Sequence, residues 1–219
     1  LEFRRVLFRS DMGFIRDVRK IVSHLPRQRQ SLLFSATMPT DVAHLVTEIL
    51  KDPARIDISP KQVAVERIDQ RVYFVPQQDK RALLIELLAD AAMKRVIVFT
   101  RTKHGANKVA EQLGKAGHAA EAIHGNKSQN ARQKALDAFR KGHARVLVAT
   151  DIAARGIDID EITHVINFEL PDVAESYVHR IGRTARAGAG GTAIAFCDSS
   201  ERDSLKAIEK VTKQIGRAH

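Results

Sequence analysis

Val146-Leu147-Val148-Ala149, followed at once by Thr150-Asp151, is the stretch that decides the fold. Four apolar residues in a row leave no face for water, so a strand here is covered on both sides, the condition of a parallel sheet between two layers of helix. Val96-Ile97-Val98-Phe99, closed by Thr100, repeats the pattern. Outward from these two runs, strands are predicted over 68–75, 95–100, 119–124, 145–150, 164–168 and 192–197. Helical spacing of apolar residues fills the gaps near 80–91, 103–116, 128–141 and 173–182, with a last helix over 200–213. The alternation reads as a doubly wound parallel α/β domain. Such a sheet keeps its chemistry at the carboxyl ends of the strands. There the chain has Thr100-Arg101-Thr102, His124-Gly125-Asn126, Thr150-Asp151 and Asn167.

Upstream, Phe14, Ile15, Val18, Ile21, Val22 and Leu25 predict a helix stopped by Pro26, and Ser31 to Phe34 is an apolar run of strand length. Val42, Leu45, Val46, Ile49 and Leu50 form a second helical stripe, opened by Pro39-Thr40-Asp41. The polar stretch 59–66, with Pro60, reads as a linker. The two ends read as foreign. Residues 1–10 back-translate to a common short-read sequencing adapter, and 214–219 to part of its reverse complement, which leaves 11–58, 59–66 and 67–213 as the authentic segments. The remnant 11–58 is expected to expose the apolar face of Val42, Leu45 and Ile49.

The chain has 219 residues, 44% of them hydrophobic, enough for one sizeable core or two modest ones. No run of about 18 apolar residues is present and no leader pattern opens the chain, so a cytoplasmic protein without a membrane partner is expected. Cys197, the one cysteine, lies among Ala193, Ile194, Ala195 and Phe196 and reads as a packed thiol. Lys and Arg total 36 against 26 Asp and Glu, a net charge of +10. Setting the two ends aside removes Arg4, Arg5, Arg9, Arg217 and Glu2 and leaves +7. A basic excess of this size favours a polyanionic partner.

Tyr177-Val178-His179-Arg180-Ile181-Gly182-Arg183-Thr184-Ala185-Arg186 is the most informative chemical segment. Its arginines fall three apart and share one side if the turn stays helical. Forked guanidinium donors suit phosphate oxygens, and the competing reading is a solvated basic face paired with acids. A second segment, Thr150-Asp151 through Gly156 and Asp158, leaves a buried strand into small residues, where backbone N–H groups and the Thr150 hydroxyl reach a phosphate or sugar. The Asp151 carboxylate there has a helix cap as its alternative. The histidines have no zinc spacing and the acids no ligand spacing, so no metal site is expected in this chain. Glycines at 188, 190 and 191 precede a strand, and no Gly-x-x-x-x-Gly-Lys-Ser/Thr occurs, so they read as a tight connection. Arginines without a phosphate cradle suggest half of a two-part site.

Taken together, Ser35-Ala36-Thr37, Val98-Phe99-Thr100-Arg101-Thr102, His124-Gly125-Asn126 through Arg132, Ala149-Thr150-Asp151 through Asp158, and His179 through Gly188 resemble the DEAD-box ATP-dependent RNA helicases, within them the bacterial RhlE-like branch. Asp11-Met12-Gly13-Phe14 is similar to the segment after that family's Asp-Glu-Ala-Asp box. The resemblance implies a RecA-like helicase C-terminal domain preceded by a truncated remnant of the first RecA-like domain. It also implies local duplex unwinding driven by ATP with Mg2+, which the missing first domain mainly holds. On the same resemblance Arg183 and Arg186 are arginine fingers, Asp158 and Gly156 lie at the nucleotide, and Arg180 and His179 link catalytic motifs. Ser35 and Thr37 couple hydrolysis to RNA. Thr102, Gly125, Arg132, Thr150 and Asp151 contact the RNA backbone without reading bases. A monomer, inactive without the first domain, is expected, and a stand-alone basic RNA-binding or partner-binding module is the alternative. Ala185 departs from the glycine usual there: it is strained if φ is positive and favoured if helical.

Overall fold

The computed structural model describes residues 15–34, 40–56, 68–154, 157, 159, 161–186, 190–212 and 217–218. The chain divides into two units, Leu1–Lys61 and Gln62–His219.

In the first unit, α1 (Ile15–Ser23) and α2 (Thr40–Ile49) form where the apolar spacing placed them. Arg19 donates to both carboxylate oxygens of Glu48 at 2.7 Å, tying the helices together on their exposed sides. Contrary to expectation, Leu45 is buried, as is Val18. The exposed apolar residues are instead Ile21, Leu32, Phe34 and Ile56. Ser31 to Phe34 is not a strand. A strand exists only through a neighbour that takes its hydrogen bonds, and none of the described strands pairs with this run.

The second unit holds the strands β1 (Ile68–Phe74), β2 (Val96–Phe99), β3 (Ala120–Ile123), β4 (Val146–Ala149), β5 (His164–Asn167) and β6 (Gly191–Cys197), with a two-residue β7 (Arg217–Ala218). They lie in the order β3-β4-β2-β5-β6-β1-β7, and every pairing is parallel. The helices are α3 (Lys80–Leu88), α4 (Lys103–Lys115), α5 (Gln129–Arg140), the short α6 (Asp151–Ala154), α7 (Ala174–Ile181) and α8 (Arg202–Thr212).

Period-two alternation in the central strands sorts their side chains into separate cores. Val96, Val98, Val146 and Val148 pack with Leu84 and Leu88 of α3 and Val109 and Leu113 of α4. Ile97, Phe99, Leu147 and Ala149 pack on the other face with Phe139 of α5 and Ala153 and Ala154 of α6. Toward the β1 edge, Ala193 and Ala195 meet Tyr177 and Ile181 of α7 and Leu205 and Ile208 of α8. Cys197 belongs to this last cluster, where burial, helped by the charge of Glu201, pushes its thiol up and keeps it protonated.

Arg145 closes the end of α3 and the turn after it. Its Nη2 donates to the carbonyls of Leu88 and Asp90 at 2.7 and 2.8 Å and its Nε to that of Met93 at 2.6 Å, satisfying acceptors a helix end leaves open.

Candidate functional site

All strands run the same way, so their carboxyl ends share one edge. The residue that ends or follows each of β2, β3, β4, β5 and β6 is polar and buried: Thr100, His124, Thr150, Asn167 and Asp198. This polar layer caps the apolar strands and joins the loops above them.

Above β2, Thr102 is the N-cap of α4, its Oγ1 accepting from the Gly105 N–H at 2.9 Å. Above β3, the His124 ring accepts at Nδ1 from the Asn126 N–H at 3.3 Å and lies 2.9 Å from Asn107 Oδ1 at Nε2. Burial, with Lys127 and Lys103 adding to it, pulls this imidazole below its ordinary value and favours the neutral ring that acceptance at Nδ1 needs. The exposed turn so fixed presents Gly125 beside Lys103, whose Nζ donates to Asn126 Oδ1 at 2.8 Å. Ser128 then caps α5 by accepting from the Ala131 N–H at 3.2 Å. Arg132 lies in the first turn of that helix, half-buried, its Nε without a hydrogen-bond partner among the described residues. Thr102, Gly125 and Arg132 thus come from three segments of the same sheet edge.

Above β4, Thr150 is buried and Asp151 opens α6. Both carboxylate oxygens of Asp151 are engaged by Arg180, whose Nε and Nη2 donate at 2.6 and 2.8 Å. Arg180 Nη1 donates to Asn167 Oδ1 at 3.0 Å and to the Glu169 carbonyl at 2.7 Å. Its guanidinium carbon stands 5.1 Å from the Phe99 ring centroid, and 1% of the side chain is exposed. Every face of this guanidinium is spent inside the protein. Asp151 is a bidentate anchor, with 29% of its side chain still in contact with solvent.

The arginine segment does not remain helical. Helix α7 ends at Ile181, and Gly182 closes it by donating to the Val178 carbonyl at 3.0 Å. Arg180 therefore sits in the last helical turn, while Arg183 and Arg186 lie in the turn beyond, both half-buried. Arg183 donates to the Ile157 carbonyl at 2.9 Å and to that of His179 at 3.3 Å, and Arg186 to that of Gly182 at 3.1 Å. Between them Thr184 is buried, its hydroxyl donating to the Ile162 carbonyl. Ala185 has φ +55°, the left-handed conformation that glycine adopts freely. Gly191, facing this turn, has no room for a side chain: a Cβ there would lie 2.2 Å from Thr184 Oγ1 and 2.8 Å from the Ala185 nitrogen. His179 is exposed, and with Phe99, Asp151, Ser176, Arg180 and Arg183 it lines a small open cleft.

Ser35, Thr37, Gly156 and Asp158 lie outside the described residues. Among the described residues no group of three or more His, Cys, Asp or Glu is placed to hold a metal ion.

Sequence reasoning passed over Glu201 and Lys80, both fully buried. Glu201 accepts from Lys80, from Arg101 Nη2 at 3.2 Å and from the N–H groups of Leu170 and Asp198 at 2.9 and 3.3 Å. Asp198 pairs with Lys80 at 2.9 Å and accepts from Ser200. Burial alone would raise the Asp198 carboxyl, but its bonds from Ser200 and Lys80 outweigh that and hold it well below the usual carboxylate range. The available signal was Asp198-Ser199-Ser200-Glu201 directly after a strand, an acid followed three residues later by Glu, which is a capping box.

The family model described as "Helicase conserved C-terminal domain" matches residues 79–188. The DEAD-box ATP-dependent RNA helicase CshA of Geobacillus kaustophilus is 45% identical over 204 residues, covering 93% of this chain and 44% of that protein. The ATP-dependent RNA helicase RhlB of Pseudomonas syringae pv. tomato is 46% identical over 209 residues, 94% of this chain and 52% of that one. The chain thus spans about half the length of the curated relatives it matches. Among solved structures, Dbp5 of S. cerevisiae bound to RNA and ADP BeF3 is similar with a TM-score of 0.84 and 32% identity, over 95% of this chain and 55% of that one. The parallel sheet, the tip residues of its strands and these matches agree: the chain belongs to the DEAD-box ATP-dependent RNA helicase family and carries its RecA-like helicase C-terminal domain.

Proposed function

We propose that this chain supplies the second half of an ATP site and part of an RNA-binding surface to a DEAD-box RNA helicase. The observation that carries the reading is the immobilised turn 182–186. The Asp151–Arg180 clamp fixes it from one side, and Thr184 with the close approach of Gly191 from the other. Arg183 and Arg186 stand on this turn, and their bonds to the carbonyls of Ile157 and Gly182 orient the guanidiniums. Such preorganised forked donors stabilise the charge that develops on a transferring phosphoryl group.

In this reading Arg183 and Arg186 meet the terminal phosphate of a nucleotide held by a first RecA-like lobe, with Asp158 and Gly156 at its sugar. Mg2+, held with the nucleotide mainly by that lobe, would supply neutralisation of phosphate charge. Arg180 is a positioning residue, and His179 borders the cleft between the two roles. Ser35 and Thr37 link the nucleotide to RNA. Thr102, Gly125, Arg132, Thr150 and the backbone at Asp151 take sugar and phosphate groups of RNA without regard to sequence, in keeping with donors that lie on loops and helix starts. The similar Dbp5 structure, bound to RNA and ADP BeF3, supports both ligands. Activity in this proposal requires the first lobe, since no phosphate-cradling Gly-x-x-x-x-Gly-Lys-Ser/Thr occurs in the chain.

The test joins residues 11–213 to a first lobe from a related helicase and measures RNA-stimulated ATP hydrolysis. Arg183→Ala is expected to lower turnover by about 10³-fold or more. Undiminished turnover removes the finger role. Tight, salt-sensitive RNA binding by residues 59–213 alone, indifferent to ATP and the first lobe, favours a stand-alone RNA-binding module instead.

A further inference from the structure

We infer that Glu201, acting through Arg101, is a positioning residue that sets the RNA-facing tip of β2, an inference that rests on the RNA reading above. Glu201 stands immediately before α8, outside every segment that carried the resemblance, and 1% of its side chain is exposed. Its carboxylate gathers donors from the start of α3 and from the segments after β2, β5 and β6: Lys80, Arg101, Leu170 and Asp198. A buried carboxylate is stable only with such a full set of donors, so these segments are tied to one point.

Arg101 is the most exposed member of this set, with 34% of its side chain in contact with solvent. One terminal nitrogen reaches Glu201 at 3.2 Å, the other Asp172 Oδ1 at 3.4 Å, and its backbone N–H donates to Glu169 Oε2 at 2.8 Å. The planar fork presents a separate terminal nitrogen to each acid. With its charge divided in this way, Arg101 holds the chain rather than a phosphate. What it holds is Thr102, whose Oγ1 is occupied as an acceptor by the Gly105 N–H while the hydroxyl proton remains to donate outward. A Cβ at Gly105 would stand 3.0 Å from that Oγ1, so the cap leaves little room for a side chain at 105. Residue 101 is the chain neighbour of Thr102, so on this inference its displacement is passed to the Thr102 hydroxyl.

The experiment uses the full 219-residue chain for hydrogen exchange and its fusion to the first lobe, with ATP, for RNA binding, each unaltered and as Arg101→Gln, Glu201→Gln and the double variant. Amide hydrogen exchange is expected to quicken about tenfold at Arg101, Gly105 and Ala106 in Arg101→Gln, with Val98 and Val148 unchanged. Binding of a fluorescein-labelled ten-nucleotide oligouridylate is expected to weaken about 3- to 10-fold in the same variant, with an unaltered dependence on KCl. The double variant should bind no worse than the weaker single one. A slope shallower by about 0.7 in Arg101→Gln would make Arg101 a phosphate ligand and overturn the inference. Unchanged exchange at 101–106, or additive losses in the double variant, would overturn it too. If Glu201→Gln does not fold, exchange in Arg101→Gln still decides. Failure of the unaltered fusion to bind the oligonucleotide removes the RNA reading, whereas the exchange data judge the tether independently.

Discussion

The Asp151–Arg180 clamp invites a double-mutant cycle: Asp151→Ala, Arg180→Met and both together. At 2.6 Å, unit charges in an effective dielectric of about 20 attract by roughly 6 kcal/mol, most of which repays the cost of stripping water from the ions. Removal of the acid alone leaves a guanidinium that is 1% exposed with only Asn167 Oδ1, the Glu169 carbonyl and the Phe99 face. Breaking a buried pair from one side costs about 3–5 kcal/mol, and the 29% exposure of Asp151 admits water and points to the lower end, about 3 kcal/mol. Arg180→Met keeps an apolar chain on Phe99 and lets Asp151 rehydrate, but strands the buried Asn167 oxygen, for about 2 kcal/mol. In the double variant the uncompensated charge is gone, so the loss should be about 2–3 kcal/mol rather than the sum, a coupling of about 2–3 kcal/mol. Both tyrosines, Tyr73 and Tyr177, lie in the second unit, so tyrosine fluorescence during urea unfolding reports on that unit alone. Singles that add to within about 0.5 kcal/mol would refute the clamp as a buried, interdependent pair.

Ala185→Gly should stabilise the second unit by about 0.5–1 kcal/mol, because relief of the left-handed φ exceeds the extra flexibility glycine gives the unfolded chain. A melting temperature at or below that of the unaltered chain would count against strain at this turn. His124 and His164 are both pulled below the ordinary 6.5, in each case chiefly by burial. The unfolded chain therefore takes up these protons first as pH falls. Stability is complete above about 6.5 and declines below it toward the lower folded values. The urea midpoint should be lower at pH 5.5 than at pH 7.5, and an equal or higher midpoint at pH 5.5 would contradict the direction.

The central strands were legible because Val96 to Phe99 and Val146 to Ala149 are apolar at every position, and only a sheet covered on both faces needs that. The polar tips followed, since a parallel sheet collects all its carboxyl ends at one edge. Ser31 to Phe34 misled for a related reason: an apolar run reports burial potential, and only a neighbouring strand turns it into a ladder. The Glu201 hub was invisible because Lys80 and Glu201 are 121 residues apart, and no local period links them. Ala185 lay between: residue identity posed the question of φ, and backbone geometry answered it as +55°.

The arginine segment shows where spacing stops being informative. Three guanidiniums at intervals of three are equivalent on an ideal helix, and charge alone assigns them one role. The end of α7 at Ile181 breaks the equivalence. Before it, Arg180 points into the polar layer, where an acid, an amide, a carbonyl and an aromatic face consume it. After it, Arg183 and Arg186 ride on a turn whose path is dictated by Thr184 and by the absence of a side chain at Gly191. The clamped Arg180 anchors the end of α7 from which that turn departs, so on the proposed reading loss of Arg180 should slow RNA-stimulated ATP hydrolysis through displacement of Arg183.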